Sequence, residues 1–113
     1  MTGSQYQELA LRTANKNVHF PHALLVNGAM GLNGEAGEVI DIVKKCLFQG
    51  HDLDELAKAK ILDECSDVMW YLALICHALN SDLDQVMEHN VEKLKKRYPQ
   101  GFDAERSIHR ADD

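Results

Sequence analysis

Two short stretches place carboxylates where a soluble helix would normally keep apolar residues. In GLNGEAGEVIDIVKK, residues 31–45, Glu35 and Glu38 stand three apart among small and apolar residues. In ILDECSDVMWY, residues 61–71, Glu64 and Asp67 repeat that spacing. Residues three apart on a helix project about 60° from one another, so each pair shares a face. Ala36 and Val39 bracket one pair and Cys65 and Val68 the other, which favours packing of both faces. If the two helices run antiparallel, the four acids converge. Four converging carboxylates repel and push one another's pKa values up unless a cation lies between them. All-oxygen ligation suits Mg²⁺ or Mn²⁺. A single pair with this spacing commonly lies on a solvated face; two pairs on consecutive helices make a metal site a reading of equal standing.

A third stretch supplies positive charge. Asn90, Lys93 and Arg97 fall at i, i+3 and i+7 beside an apolar stripe. Lys and Arg there can take phosphate oxygens and Asn can orient a substrate. The competing reading is a solvated basic end that complements the helix dipole. Tyr71, one turn beyond Asp67, is either a core tyrosine or a hydroxyl donor to phosphate. No Cys/His pair has zinc-ligand spacing, and neither acidic pair carries the Glu-x-x-His of a carboxylate-bridged di-iron bundle.

These residues need long helices to hold them. The chain has 113 residues, 45% hydrophobic and 27% charged, which reads as one globular domain, 1–113. Apolar periodicity predicts four helices and no strand: 4–15, 22–48, 53–79, and a fourth from a cap at Ser81 with Asp84 to a stop at Pro99 and Gly101. Asp52 with Glu55 reads as the capping box of the third. Residues 102–113 read as a tail. Glycines at 28, 31, 34 and 37 each weaken the second helix by about 1 kcal/mol relative to Ala. They predict close approach of another backbone or a ligand, or else a kink between 28 and 34. The segment VMWYLALICHAL is apolar nearly all round, which predicts burial in an oligomer. The expected fold is an all-α four-helix bundle.

The net charge of −6 argues against binding a nucleic acid polymer. No apolar run reaches the ~20 residues of a membrane span, and the N-terminus lacks a secretory pattern. The three cysteines make no CxxC pair and read as buried reduced thiols of a cytoplasmic protein.

The quoted stretches, with NVEKLKKRYPQGFDAERSIHR and YQELALRTAN, resemble the MazG-like all-α nucleoside triphosphate pyrophosphohydrolases. That family's signature is ExxE, a spacer and ExxD, here Glu35-Ala-Gly-Glu38 and Glu64-Cys-Ser-Asp67. The resemblance implies cleavage between the α- and β-phosphates, giving a monophosphate and pyrophosphate, with a house-cleaning role against non-standard or deoxynucleotides. It implies Mg²⁺ held by Glu35, Glu38, Glu64 and Asp67, with Glu35 or Glu38 accepting the proton of the attacking water. It implies that Tyr71, Asn90, Lys93 and Arg97 line the phosphates, that sites form between subunits of a homodimer or homotetramer, and that base contacts come from the loop after the first helix. His19, Phe20 and Asn27 are the base-pocket candidates there. The alternative is a non-enzymatic helical interaction module whose carboxylates pair with a protein partner.

Overall fold

The computed structural model describes residues 1–110. They form five α-helices: α1 (Gly3–Ala10), α2 (Ala23–Phe48), α3 (Glu55–Ala78), α4 (Leu83–Arg97) and α5 (Ala104–Ile108). A single 3₁₀ turn, Leu11–Thr13, extends α1. Among the described residues there is no strand, only an isolated bridge between Pro99 and Gly101. α5 lies in the stretch expected to be a tail; residues 111–113 of that stretch lie outside the described residues.

α2, α3 and α4 appear where apolar periodicity places them, whereas α1 ends at Ala10 and only the 3₁₀ turn carries it to Thr13, short of the expected residue 15; two caps also differ. α3 starts from Asp54, whose carboxylate accepts the Ala57 N–H; Asp52 is not the cap. α4 starts from Asp82, which accepts the Gln85 N–H. In each case an acid nearer the helix satisfies an amide that helix geometry leaves unpaired. Gly50 takes φ 72 after α2, and Asn80 takes φ 57 after α3; both are left-handed positions at which glycine and asparagine carry little penalty.

α2 and α3 form an antiparallel hairpin, which is the main packing of the chain. Its seam explains two of the four glycines. A Cβ on Gly28 would lie 2.6 Å from Cγ1 of Ile75, and one on Gly31 would lie 2.1 Å from Cε1 of Tyr71. Gly34 and Gly37 face open space within this chain. The helix runs unbroken through all four, so packing at Gly28 and Gly31 outweighs their poor helix propensity.

α1 is fastened across the α3–α4 junction by side chains working on backbone. The Asp84 carboxylate accepts the N–H of Gly3 (2.9 Å), the N–H of Ser4 (3.2 Å) and the Ser4 hydroxyl (2.7 Å). Gln7, buried, donates to the Ser81 carbonyl and accepts the Leu83 N–H. At the other end the Trp70 indole N–H is shared between the Ala10 carbonyl (3.1 Å) and the Thr13 hydroxyl (2.9 Å). The core beneath joins Ala10, Ala73, Cys76 and Leu83, with Tyr6, Trp70 and Leu72 packed against it. Of the three thiols only Cys76 is buried, and burial pushes its pKa up; Cys65 is exposed and Cys46 half-buried, against the expectation of three buried thiols.

The Ser4 hydroxyl, helped by the Ser4 and Gly3 N–H groups, holds the Asp84 carboxyl below the usual carboxylate range, against the opposing effect of partial burial. A depressed carboxyl pKa stabilises the fold above the unfolded pKa, and that contribution is lost as pH falls through the folded value. Asp84→Asn is therefore expected to melt below the wild type at pH 7. Thermal denaturation repeated toward pH 2 is expected to show the two midpoints converging.

One chain does not close a bundle. The radius of gyration is 17.4 Å, against about 13 Å for a compact chain of this length. α4 packs on α1 and α3 and meets α1 through Leu83, Asp84 and Met87 near its start, and Leu83 is its one buried residue. Val86, Met87, Val91 and Leu94 beyond it are exposed, as are Ile40, Leu47 and Phe48 on α2 and Leu62 and Met69 on α3. The second half of α3 is accordingly buried at Ala73, Leu74 and Cys76 but not at Met69.

Candidate metal centre

The hairpin register brings α2 and α3 acids to one level. Gly28 meets Ile75 and Gly31 meets Tyr71, so one turn further along α2 Glu35 comes opposite Asp67 and Glu64. Carboxylate oxygens of Glu35, Glu64 and Asp67 all lie within 4.8 Å of one another. Glu35 and Glu64 are half-buried and Asp67 is exposed. Three acids converge, not four. Glu38 is exposed and stands outside the cluster, and its charge is felt by Lys45 on its own helix.

The cluster carries the electrostatic signature of crowded like charges. The Glu64 carboxyl is pushed up, first by a hydrogen bond with the Glu35 carboxyl that needs a shared proton, then by partial burial and by the charges of Glu35 and Asp63. A divalent cation relieves the same repulsion. An octahedral Mg²⁺ with ligands at about 2.1 Å sets its oxygens roughly 3 Å apart when adjacent and roughly 4 Å apart when opposite. The 4.8 Å spread admits that arrangement with small adjustments, and the donors are all hard oxygens.

The other expected site residues are scattered. Tyr71 is on α3 beside the cluster, its ring against Gly31 and edge-on to Trp70 at 5.0 Å. Asn90, Lys93 and Arg97 are on α4. Lys93 lines an open depression with His89, Glu92 and Lys96, all residues of α4. The Arg97 carbonyl accepts the Arg106 Nε–H, which ties α5 back to the end of α4. Phe20 and Asn27 line a cavity of about 330 Å³ with Asn15, Val18, Leu24 and Met30, between the loop after α1 and the start of α2. His19 is exposed in that loop and is not among the lining residues.

Two residues near the cluster are not foreseen by carboxylate spacing. Tyr6 of α1 has its phenol pKa raised by burial and then by the charge of Asp67. Thr13 fixes Trp70, which backs Tyr71. Both belong to the stripe Tyr6, Ala10, Thr13, on which Tyr6 is half-buried and Thr13 exposed; the stripe was readable but their neighbours on α3 were not.

The chain is an all-α protein whose central hairpin gathers Glu35 from one helix and Glu64 and Asp67 from the next into a set of oxygen donors that could hold a cation. Residues 27–102 match the MazG nucleotide pyrophosphohydrolase domain, and the chain belongs to that family. It is similar to the Gene 37 protein of Mycobacterium phage L5, with 40% identity over 76 residues, which cover 64% of this chain and 64% of the phage protein. No solved structure matches the chain. The matched segment holds α2, α3 and α4 nearly entire; α1 precedes it. No helix among the described residues is long and apolar enough to cross a membrane.

Proposed function

We propose that this chain is a Mg²⁺-dependent nucleoside triphosphate pyrophosphohydrolase, with Mn²⁺ able to replace Mg²⁺. Water adds across the bond between the α- and β-phosphates, giving a nucleoside monophosphate and pyrophosphate. The observation that carries the reading is the convergence of Glu35, Glu64 and Asp67 with a raised Glu64 pKa. The substrates are non-standard or deoxynucleotides of the cytoplasmic pool, whose removal is a house-cleaning task.

Glu35, Glu64 and Asp67 hold the cation, and Glu38 joins them or acts on water from the rim. A bound divalent ion offsets the charge on the phosphates and on the departing pyrophosphate. Glu35 or Glu38 takes a proton from the attacking water as general base. The Tyr71 hydroxyl donates to a phosphate oxygen in this reading, and Phe20 and Asn27 offer an aromatic face and an amide to a base. Lys93 and Arg97 bind the phosphates from a second copy of the chain. Two facts support that assignment: α4 is anchored at its first turn, and its apolar side chains beyond it are exposed. A homodimer or homotetramer covers those side chains together with the exposed faces of α2 and α3.

The test is a panel of canonical and modified nucleoside triphosphates incubated with Mg²⁺, with pyrophosphate and monophosphate measured together. Equal yields of both are expected for at least one substrate. Orthophosphate release in place of pyrophosphate would reject cleavage between the α- and β-phosphates, and no metal-dependent turnover across the panel would reject the enzyme and leave a helical interaction module. Subunit mixing tests the shared site. Glu64→Gln and Lys93→Ala are each expected to be inactive alone. Mixed and re-annealed, they are expected to recover about a quarter of wild-type activity, because half of the dimers are hybrids with one intact site each. If Lys93 served its own chain, no activity would return.

A further inference from the structure

One turn from the carboxylates, the hairpin seam holds a very close contact between Gly31 and Tyr71. A Cβ added to Gly31 would lie 2.1 Å from Cε1, 2.3 Å from Cδ1 and 2.3 Å from Cζ of the tyrosine ring. Any side chain there must displace the ring or the helix. The ring also meets the Trp70 indole, edge-on at 5.0 Å and 87°. Trp70 is itself pinned to α1 through the Ala10 carbonyl and the Thr13 hydroxyl. The separation of α2 and α3 at this level is thus set by one ring thickness resting on bare backbone.

Gly31 is one turn from Glu35, and Tyr71 is one turn from Asp67 and two from Glu64. On the carboxylate side of the contact, Gly34 and Gly37 have nothing within 4 Å, so neither sets a spacing. We propose that the Tyr71 ring against Gly31 is the spacer that fixes the distance between Glu35 and the Glu64–Asp67 pair, making Gly31 and Tyr71 positioning residues for the cation site. This rests on the metal reading above. It is distinct from any service of the Tyr71 hydroxyl at phosphate, since the ring alone does the spacing. Small hard cations tolerate little error in ligand placement, and a shift on the order of 1 Å at the seam is carried straight to the acids one turn away.

Mn²⁺ affinity in the absence of nucleotide provides the readout, taken by calorimetry on the full chain, with far-UV circular dichroism and the thermal midpoint measured in parallel. Gly31→Ala is expected to weaken Mn²⁺ binding by roughly 10- to 100-fold, as loss of support around metal ligands does. Gly28→Ala meets Ile75 one turn further from the acids. It is expected to lower the midpoint while leaving Mn²⁺ affinity within about 2-fold, on the scale of a seam defect that does not reach the ligands. Adding Tyr71→Leu to Gly31→Ala makes room for the new methyl group and is expected to recover most of the lost affinity. Should Gly31→Ala not fold, Tyr71→Phe and Tyr71→Leu decide. Phe keeps the spacer and wild-type affinity, whereas Leu loses both. Wild-type affinity in folded Gly31→Ala or in Tyr71→Leu, or equal weakening by Gly28→Ala, would overturn the spacer while leaving the metal centre standing. Wild-type protein that binds no Mn²⁺, or binds it unchanged after Glu64→Gln, would overturn both.

Discussion

Replacing Glu64 by Gln is expected to raise the melting point of the metal-free protein and to abolish the further rise that Mg²⁺ or Mn²⁺ gives the wild type. The Glu64 carboxyl is held above the usual glutamate range, first by its contact with the Glu35 carboxyl, then by partial burial and by the charges of Glu35 and Asp63. A raised carboxyl pKa means that the folded chain binds a proton more tightly than the unfolded one. Folding stability then falls as pH climbs from the unfolded pKa to the folded pKa, and the penalty persists above it. Gln carries no charge and escapes that penalty, so its advantage over metal-free wild type is expected at pH 8 and lost at pH 4. With metal the order reverses. A ligand that binds only the folded state at 100 times its dissociation constant stabilises by about 2.7 kcal/mol, which for a chain of this size is ~10 °C or more in the midpoint. Glu64→Gln removes one of three ligands and should show little of that rise. Turnover is expected to fall by about 100-fold or more, since even outer-shell changes at metal sites cost 10- to 100-fold. Calorimetric scans at both pH values, with and without Mn²⁺, together with a pyrophosphate assay, check each part. The same substitution at Glu38 separates roles: if Glu38 acts from the rim, Glu38→Gln loses turnover but keeps the metal-induced rise.

The positions of α2, α3 and α4 were legible because their apolar residues recur at helical spacing over several turns, a signal that single residues do not blur. Convergence of Glu35 with Glu64 and Asp67 was legible once an antiparallel pairing was assumed, since two pairs of acids on consecutive helices leave few other arrangements. The place of Glu38 was not: the register of Gly28 against Ile75 and Gly31 against Tyr71 carries on to Glu38 near the level of Glu64, yet its side chain is exposed and outside the cluster, and spacing along a helix does not fix the direction a long side chain takes. The caps were misplaced for a related reason. Asp52 and Asp54 are chemically equivalent candidates two residues apart, and Ser81 and Asp82 are adjacent residues that can both cap; only the path of the backbone chooses between them. Asp84, read as part of a local box, serves α1 some 80 residues away. A contact of that range leaves no trace in a local pattern. Nor does periodicity say that α4 leaves the hairpin after its first turn.

Replacing Gln7 by Leu is expected to be among the most destabilising single changes in the chain. Gln7 is only 6% exposed. Its amide N–H is 2.9 Å from the Ser81 carbonyl and its carbonyl is 3.0 Å from the Leu83 N–H. Leu83 opens α4, where intrahelical partners are missing, so its N–H depends on this side chain. Leucine fills a similar volume but leaves a buried donor and a buried acceptor unpaired, each costing about 1–3 kcal/mol. A loss of about 2–4 kcal/mol in total corresponds to a midpoint lower by ~10–20 °C. Gln7→Glu distinguishes hydrogen bonding from shape. A protonated carboxyl reproduces both bonds, donating to Ser81 and accepting from Leu83, whereas a carboxylate faces the Ser81 carbonyl with no proton to offer. Burial and that carbonyl should raise the pKa of the introduced carboxyl, so the variant gains stability as pH falls through it, opposite in sign to the acid response of Asp84. Thermal scans from pH 7 to pH 4 should show the Gln7→Glu protein approaching the wild type while the Gln7→Leu protein stays low. If Leu cost nothing at either pH, α1 would not be held by Gln7. The consequence reaches the acids as well: α1 and the turn that extends it supply both acceptors of the Trp70 indole, and Trp70 backs the ring that lies against Gly31. Releasing α1 is therefore expected to weaken Mn²⁺ binding in the Gln7→Leu protein even at temperatures where α2 and α3 remain helical.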